Sequence, residues 1–197
     1  MDCCVCLCFL QGYGQAELDS LPGRIGAQDV SDMHTATMAA LEVNDMQLDP
    51  QRICVAGGSH GGFLTAHLLG QYPSLFRAGA CRNPVINVPS MSMVSDITDW
   101  CIVEACGVKG CKLSNSEPEV LYNFASYDSP NTAQLAKMYN CSPIRHVQNV
   151  TAPVLMLLGA KDRRVPVSQG LEYFHTLRRV QDRLAAKVST EMRLYPG

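Results

Sequence analysis

The chain has 197 residues, 47% of them apolar and 17% charged, with a net charge of −2. That length holds one domain with a real core, and the composition excludes a disordered chain. The charge gives no electrostatic reason to expect nucleic acid, and no stretch approaches the run of about 18 apolar residues that spans a membrane.

Residues 1–11 are unlike the rest of the chain. Cys3, Cys4, Cys6 and Cys8 crowd an apolar stretch too short and too poor in basic residues for a signal peptide. They read as an atypical start joined to a domain, 12–197, already under way. The ten cysteines are scattered. Cys54 and Cys81 fall in apparent core strands, so small buried thiols in a reducing compartment are expected, not a disulfide framework.

From Gly12 to Gly26 the chain reads as a glycine-rich loop with a turn at Leu21-Pro22-Gly23. Asp29-Val30-Ser31-Asp32 opens a helix whose apolar positions, Met33, Ala36, Thr37, Ala40 and Leu41, run at helical spacing, with Asp29 or Ser31 as its cap. His34 there reads as a surface or half-buried residue. Arg52-Ile53-Cys54-Val55-Ala56 is a buried strand, and Phe63 to Gly70 a helix. Between them lies Gly57-Gly58-Ser59-His60-Gly61-Gly62. Strand, G-x-S-x-G, helix is the context in which a serine is thrown out on a sharp turn with its hydroxyl exposed. Gly57 and Gly61 leave room for that turn. The helix head adds N–H groups and partial positive charge where an oxyanion would develop, the N–H of His60 first among them.

Phe76 to Cys81 is the next strand, and Arg82-Asn83-Pro84-Val85-Ile86-Asn87 leaves its C-terminal end, where open α/β sheets hold ligands. Residues 88–141 are polar and irregular, with a cap-like insertion at about 106–141. Cys101, Cys106 and Cys111 recur every five residues and match no metal knuckle, and neither metal nor cofactor is expected. Val154 to Gly159 is a continuous apolar run, as in a central parallel strand. Val167 to Arg179 is an amphipathic helix with Leu171, Phe174, His175 and Leu177 on or near its sheet side, and Val188 to Tyr195 is a last strand. Strands alternating with helices imply a doubly wound, mostly parallel α/β sheet.

A serine hydroxyl needs a base to take its proton and an acid to orient that base, and behind this elbow the order is Ser, Asp or Glu, then His. Asp162 follows the buried strand and is the acid candidate. His175 is the one histidine beyond it, but it lies inside the predicted helix. His60 adjoins Ser59 yet leaves the elbow in another direction. The base and the loop that carries it are therefore expected to be absent, and with them efficient turnover.

The blocks Gly57–Phe63, Gly70-Gln71-Tyr72-Pro73, Arg82–Asn87, Asp99–Ala105, Ser142-Pro143-Ile144-Arg145 and Asp162-Arg163-Arg164-Val165-Pro166 resemble the acylaminoacyl-peptidase branch of the prolyl oligopeptidase family of serine peptidases. The resemblance runs from about Gly12 to Gly197. It implies an α/β-hydrolase domain, here truncated at both ends, in a family whose members also carry an N-terminal β-propeller. It implies a cytosolic exopeptidase acting on N-acylated peptides, with Ser59 as nucleophile, Asp162 as triad acid, His60 lending its N–H to the oxyanion hole and Arg164 positioning substrate. A homo-oligomer through the full-length enzyme is open. The family's histidine falls a few residues beyond a Tyr-Pro like Tyr195-Pro196. A non-catalytic fragment or interaction partner of the full enzyme is the second reading. A carboxylesterase-like or lipase-like hydrolase is a third, opposed by the blocks at 82–87 and 162–166.

Overall fold

The computed structural model describes residues 14–43, 48–107, 129–183 and 189–197. Among them the elements run α1 (Gln15–Leu18), α2 (Gln28–Glu42), β1 (Cys54–Ser59), α3 (His60–Gln71), β2 (Ala78–Pro84), α4 (Val88–Ser92), α5 (Thr98–Cys106), α6 (Thr132–Asn140), a 3₁₀ turn (Pro143–Asn149), β3 (Val154–Gly159), α7 (Val167–Arg183) and β4 (Thr190–Tyr195). The atypical start, Cys111 and most of the expected insertion lie outside the described residues.

The four strands form one parallel sheet in the order β1-β2-β3-β4. Each parallel step needs a crossover, and helices supply it. α3 lies under β1 and β2 with every residue from Gly62 to Gly70 buried. Its sequence explains this: Phe63, Leu64, Ala66, Leu68 and Leu69 leave no polar stripe for solvent. Leu69 packs where a side chain at Gly79 would stand. α7 is amphipathic, burying Tyr173, Leu177 and Val180 at helical spacing. Leu158 of β3 fills the space beside its Gly170. Gly79 pairs with Val154, and Val154, Met156 and Leu158 are the buried alternation of β3. α3 and α7 therefore cover the same sheet face.

Three expectations change. Cys54 is exposed, because among the described residues β1 is an edge strand and its side chain points to the opposite, barely covered face, whereas Cys81 is fully buried. His175 is exposed on α7, and Tyr173 takes the sheet-facing place. Asp29 does not cap α2: the N-cap is Ala27, with no side-chain bond. Asp29 is instead fully buried, accepting from Gly26 N at 2.7 Å and Val30 N at 2.9 Å. The stretch after β2 is also more regular than expected. α6 starts with a reciprocal capping box between Asn131 and Gln134, and Cys101 and Cys106 are buried on α5.

Candidate active site

β1 continues through the glycines that read as a turn and ends at Ser59 itself. Ser59 then turns the chain into α3 with φ 57° and ψ −122°, a conformation side chains rarely adopt. Such a residue costs about 1–3 kcal/mol and persists where its surroundings over-determine it. Here a Cβ on Gly57 would sit inside the Gly61 carbonyl and 2.9 Å from Gly61 Cα, and one on Gly62 would lie 2.7 Å from Pro84 Cβ. A Cβ on Gly61 would meet nothing within 4 Å. The close approach is thus made by Gly57 and Gly62, while Gly61 offers its backbone to be approached. The product is an exposed serine at the C-terminal edge of the sheet, at the head of a twelve-residue helix.

Asp162 lies just past the end of β3, at the same C-terminal edge, with β2 between the two strands. The carboxylate is half-buried, and its Oδ1 accepts from Arg164 N at 3.0 Å and Val165 N at 2.9 Å. Both bonds use one oxygen, so the loop holds the carboxylate in a fixed attitude through its own backbone. Arg164 turns outward and forms a two-pronged pair with Asp96, at 2.9 and 3.3 Å. Ser95 Oγ donates to Arg164 O at 2.7 Å. The segment after β2 and the loop after β3 therefore share one rim.

The sequence contains five histidines, all described, and each is engaged away from that rim. His34 stacks on Tyr72 at 3.9 Å. His60 Nε2 lies 3.2 Å from Asp29 Oδ2, its ring against Phe63 and Trp100. His67 is buried between Cys141 O and Gln71. His146 lies beside His67, and His175 beside Phe174 on the outer side of α7. Asp162 takes no hydrogen bond from any of them. The His60–Asp29 contact is what sequence reasoning missed: a carboxylate near a helix start reads as a cap, and only the crossing of α2 over α3 brings it to the elbow. Burial raises the nearby Glu104 carboxyl, and the His60 ring works against that rise. Burial also pushes the Cys81, Cys101 and Cys141 thiols up to about 12, so these are packing residues and not nucleophiles.

Comparison with known proteins places this geometry. The model of the prolyl oligopeptidase family matches residues 10–104 and 100–197. The mouse acylamino-acid-releasing enzyme is 42% identical over 185 residues, which is 94% of this chain and 22% of that protein. The Arabidopsis thaliana acylamino-acid-releasing enzyme is 45% identical over 167 residues, 85% of this chain and 20% of that protein. The chain thus spans about a fifth of the length of these curated relatives. Among solved structures, a Pyrococcus horikoshii acylaminoacyl peptidase superimposes with a TM-score of 0.73 at 23% identity, over 94% of this chain and 26% of that one. A Mycobacterium tuberculosis puromycin-hydrolyzing peptidase gives 0.68 at 22% identity, over 93% of this chain and 23% of that one. The fold is α/β-hydrolase, and the chain belongs to the prolyl oligopeptidase family.

Proposed function

We propose that this chain carries the nucleophile and the acid of a serine peptidase site that releases N-acylated amino acids from blocked peptides. The observation that carries the reading is Ser59, exposed and left-handed on a strand-to-helix turn. Its Oγ attacks the carbonyl carbon of the acylated residue. The charge that develops on the carbonyl oxygen meets the head of α3, with the His60 N–H as donor. Asp162 is placed to orient an imidazole base, supplied from outside these five histidines, that would take the Ser59 proton and pass it to the leaving amine. Arg164, steadied by Asp96, receives the substrate at the rim. The names of the relatives supply the substrate class, and the buried thiols of Cys81, Cys101 and Cys106 suit the cytoplasm.

The five histidines favour a second reading, a non-catalytic module, because each is engaged elsewhere. One experiment separates the two. The purified chain is assayed on N-acetyl-alanyl p-nitroanilide with and without added imidazole, beside Ser59→Ala and Asp162→Asn. Loss of one triad member costs up to about 10⁶ in kcat, so turnover without imidazole is expected at the Ser59→Ala level. A supplied base is expected to restore about 10²-fold, and the gain should vanish in Ser59→Ala and shrink in Asp162→Asn. An imidazole gain that survives in Ser59→Ala removes Ser59 as nucleophile. No gain in the parent supports the non-catalytic module.

A further inference from the structure

We infer that Asn83 is a positioning residue that fixes the separation of Ser59 from Asp162; this rests on the proposed roles of those two residues. β2 stands between the strand that ends in the nucleophile and the strand that leads to the acid, so its last residues set how far apart the two stand. There the pairing slips. Gly58 pairs with Arg82, but Ser59 pairs with Pro84, which leaves Asn83 as an extra residue in β2. An extra residue bends its strand and re-aims its own side chain.

Asn83 carries the marks of such a place. Its φ is 38°, so with Ser59 it is one of the two described non-glycine residues at positive φ. Asparagine tolerates that region better than most residues. It is 9% exposed. Its carboxamide crosses to the end of β3, where Oδ1 accepts from Gly159 N at 2.8 Å and Nδ2 donates to Gly159 O at 3.2 Å. Nδ2 also reaches Val165 O at 3.5 Å. Val165 is one of the two residues whose N–H groups hold the Asp162 carboxylate. On the other side, Val85 N donates to Ser59 O at 3.4 Å.

One side chain therefore grips both ends of the acid loop, and the backbone around it grips the elbow. Few replacements would keep this. Aspartate keeps the acceptor for Gly159 N–H but presents charge to two carbonyls. Alanine removes both ends of the bridge. Glycine also removes them while relieving the left-handed backbone, so it tests the bridge without strain.

Asn83→Ala, Asn83→Asp and Asn83→Gly are made in the whole chain. Each is followed by thermal melting, by amide hydrogen exchange and by imidazole-supported hydrolysis of N-acetyl-alanyl p-nitroanilide. The expected result is about tenfold faster exchange at the Arg164 and Val165 amides, with the α3 amides unchanged. The maximal imidazole-supported rate should fall about 10²-fold, with the substrate concentration for half that rate unchanged. If Asn83→Ala does not melt cooperatively, Asn83→Gly decides. Parent-like exchange at Arg164 and Val165 in a folded variant overturns the inference. So does faster exchange with an unchanged maximal rate, which reduces Asn83 to a structural role. If the parent shows no Ser59-dependent hydrolysis, the nucleophile reading fails separately. Exchange at the two amides then decides whether Asn83 holds the acid loop.

Discussion

Replacing Gly57 with alanine is expected to destabilise the fold by about 3 kcal/mol or more, whereas Gly61→Ala should be neutral or stabilising by up to about 1 kcal/mol. The two positions frame Ser59 symmetrically in sequence, yet they differ in surroundings. The methyl added at 57 meets the carbonyl and Cα of Gly61, backbone atoms that cannot swing aside as a flexible side chain could. Relief requires moving β1 away from the first turn of α3, which undoes the left-handed turn at Ser59. The methyl added at 61 meets no atom within 4 Å, and alanine is the better helix former. Urea unfolding of the two variants beside the parent checks this. Equal losses at both positions would mean that the junction is set by something other than this contact.

A second large effect is expected from acid. Burial lowers the His67 imidazole from 6.5 to about 4. Its bonds show which form the fold holds. Nε2 faces Cys141 O at 2.9 Å and Nδ1 faces the Gln71 amide nitrogen at 2.8 Å. The first contact needs a proton on Nε2 and the second needs a bare Nδ1, so the neutral ring is satisfied at both ends. A second proton would turn Nδ1–H against the Gln71 N–H. The neighbouring charges pull both ways, Asp29 favouring the proton and His146 and His60 opposing it. The folded-state value is the depressed one. The unfolded chain therefore takes up the proton first as pH falls through 6.5, and stability drains until the folded value is reached. Linkage gives a loss of about 2 kcal/mol between pH 7.5 and 5.0, approaching about 3 kcal/mol at pH 4. Urea titrations at these pH values should show the loss in the parent and most of it gone in His67→Gln. A His67→Gln variant whose midpoint falls with pH from 7.5 to 5.0 as steeply as the parent's would count against a depressed His67.

The contrast between Gly57 and Gly61 also shows how far the sequence could be read. G-x-S-x-G between an apolar run and a helical run leads to Ser59 because the motif depends on local conformation. The expectation for Asp162 rests on local pattern too, as the first acid after a buried strand, and what the structure adds is its place just past β3, at the sheet edge that Ser59 also reaches. What escapes is whatever depends on crossing elements. The glycines at 57 and 58 look like the turn, yet pairing with Cys81 and Arg82 keeps them in β1. Asp29 sits where a cap should be, and α3 recruits it for His60. Cys54 alternates like a core residue, but its strand is at the edge of the described sheet. Asn83 carries no periodic signal, because one extra residue in a strand is defined only by the register of its neighbour.

That strand order has a kinetic consequence. Two pairings close within single strand–helix–strand units: Cys54 meets Ala78 across α3, and Val154 meets Thr190 across α7. The third, Gly79 with Val154, must close a loop at least twice as long as either. The longer loop costs roughly 1 kcal/mol more in chain entropy than closing the α3 unit and about 0.6 kcal/mol more than closing the α7 unit. The two units should consolidate first and the β2–β3 seam last. Pulse-labelled exchange would then protect the β1–β2 and β3–β4 amides before those across the seam; simultaneous protection of all three would count against this order. Ser59 belongs to one unit and Asp162 to the other. A nascent chain can therefore form its elbow early, yet the two residues proposed above as nucleophile and acid share one sheet edge only when the last seam closes.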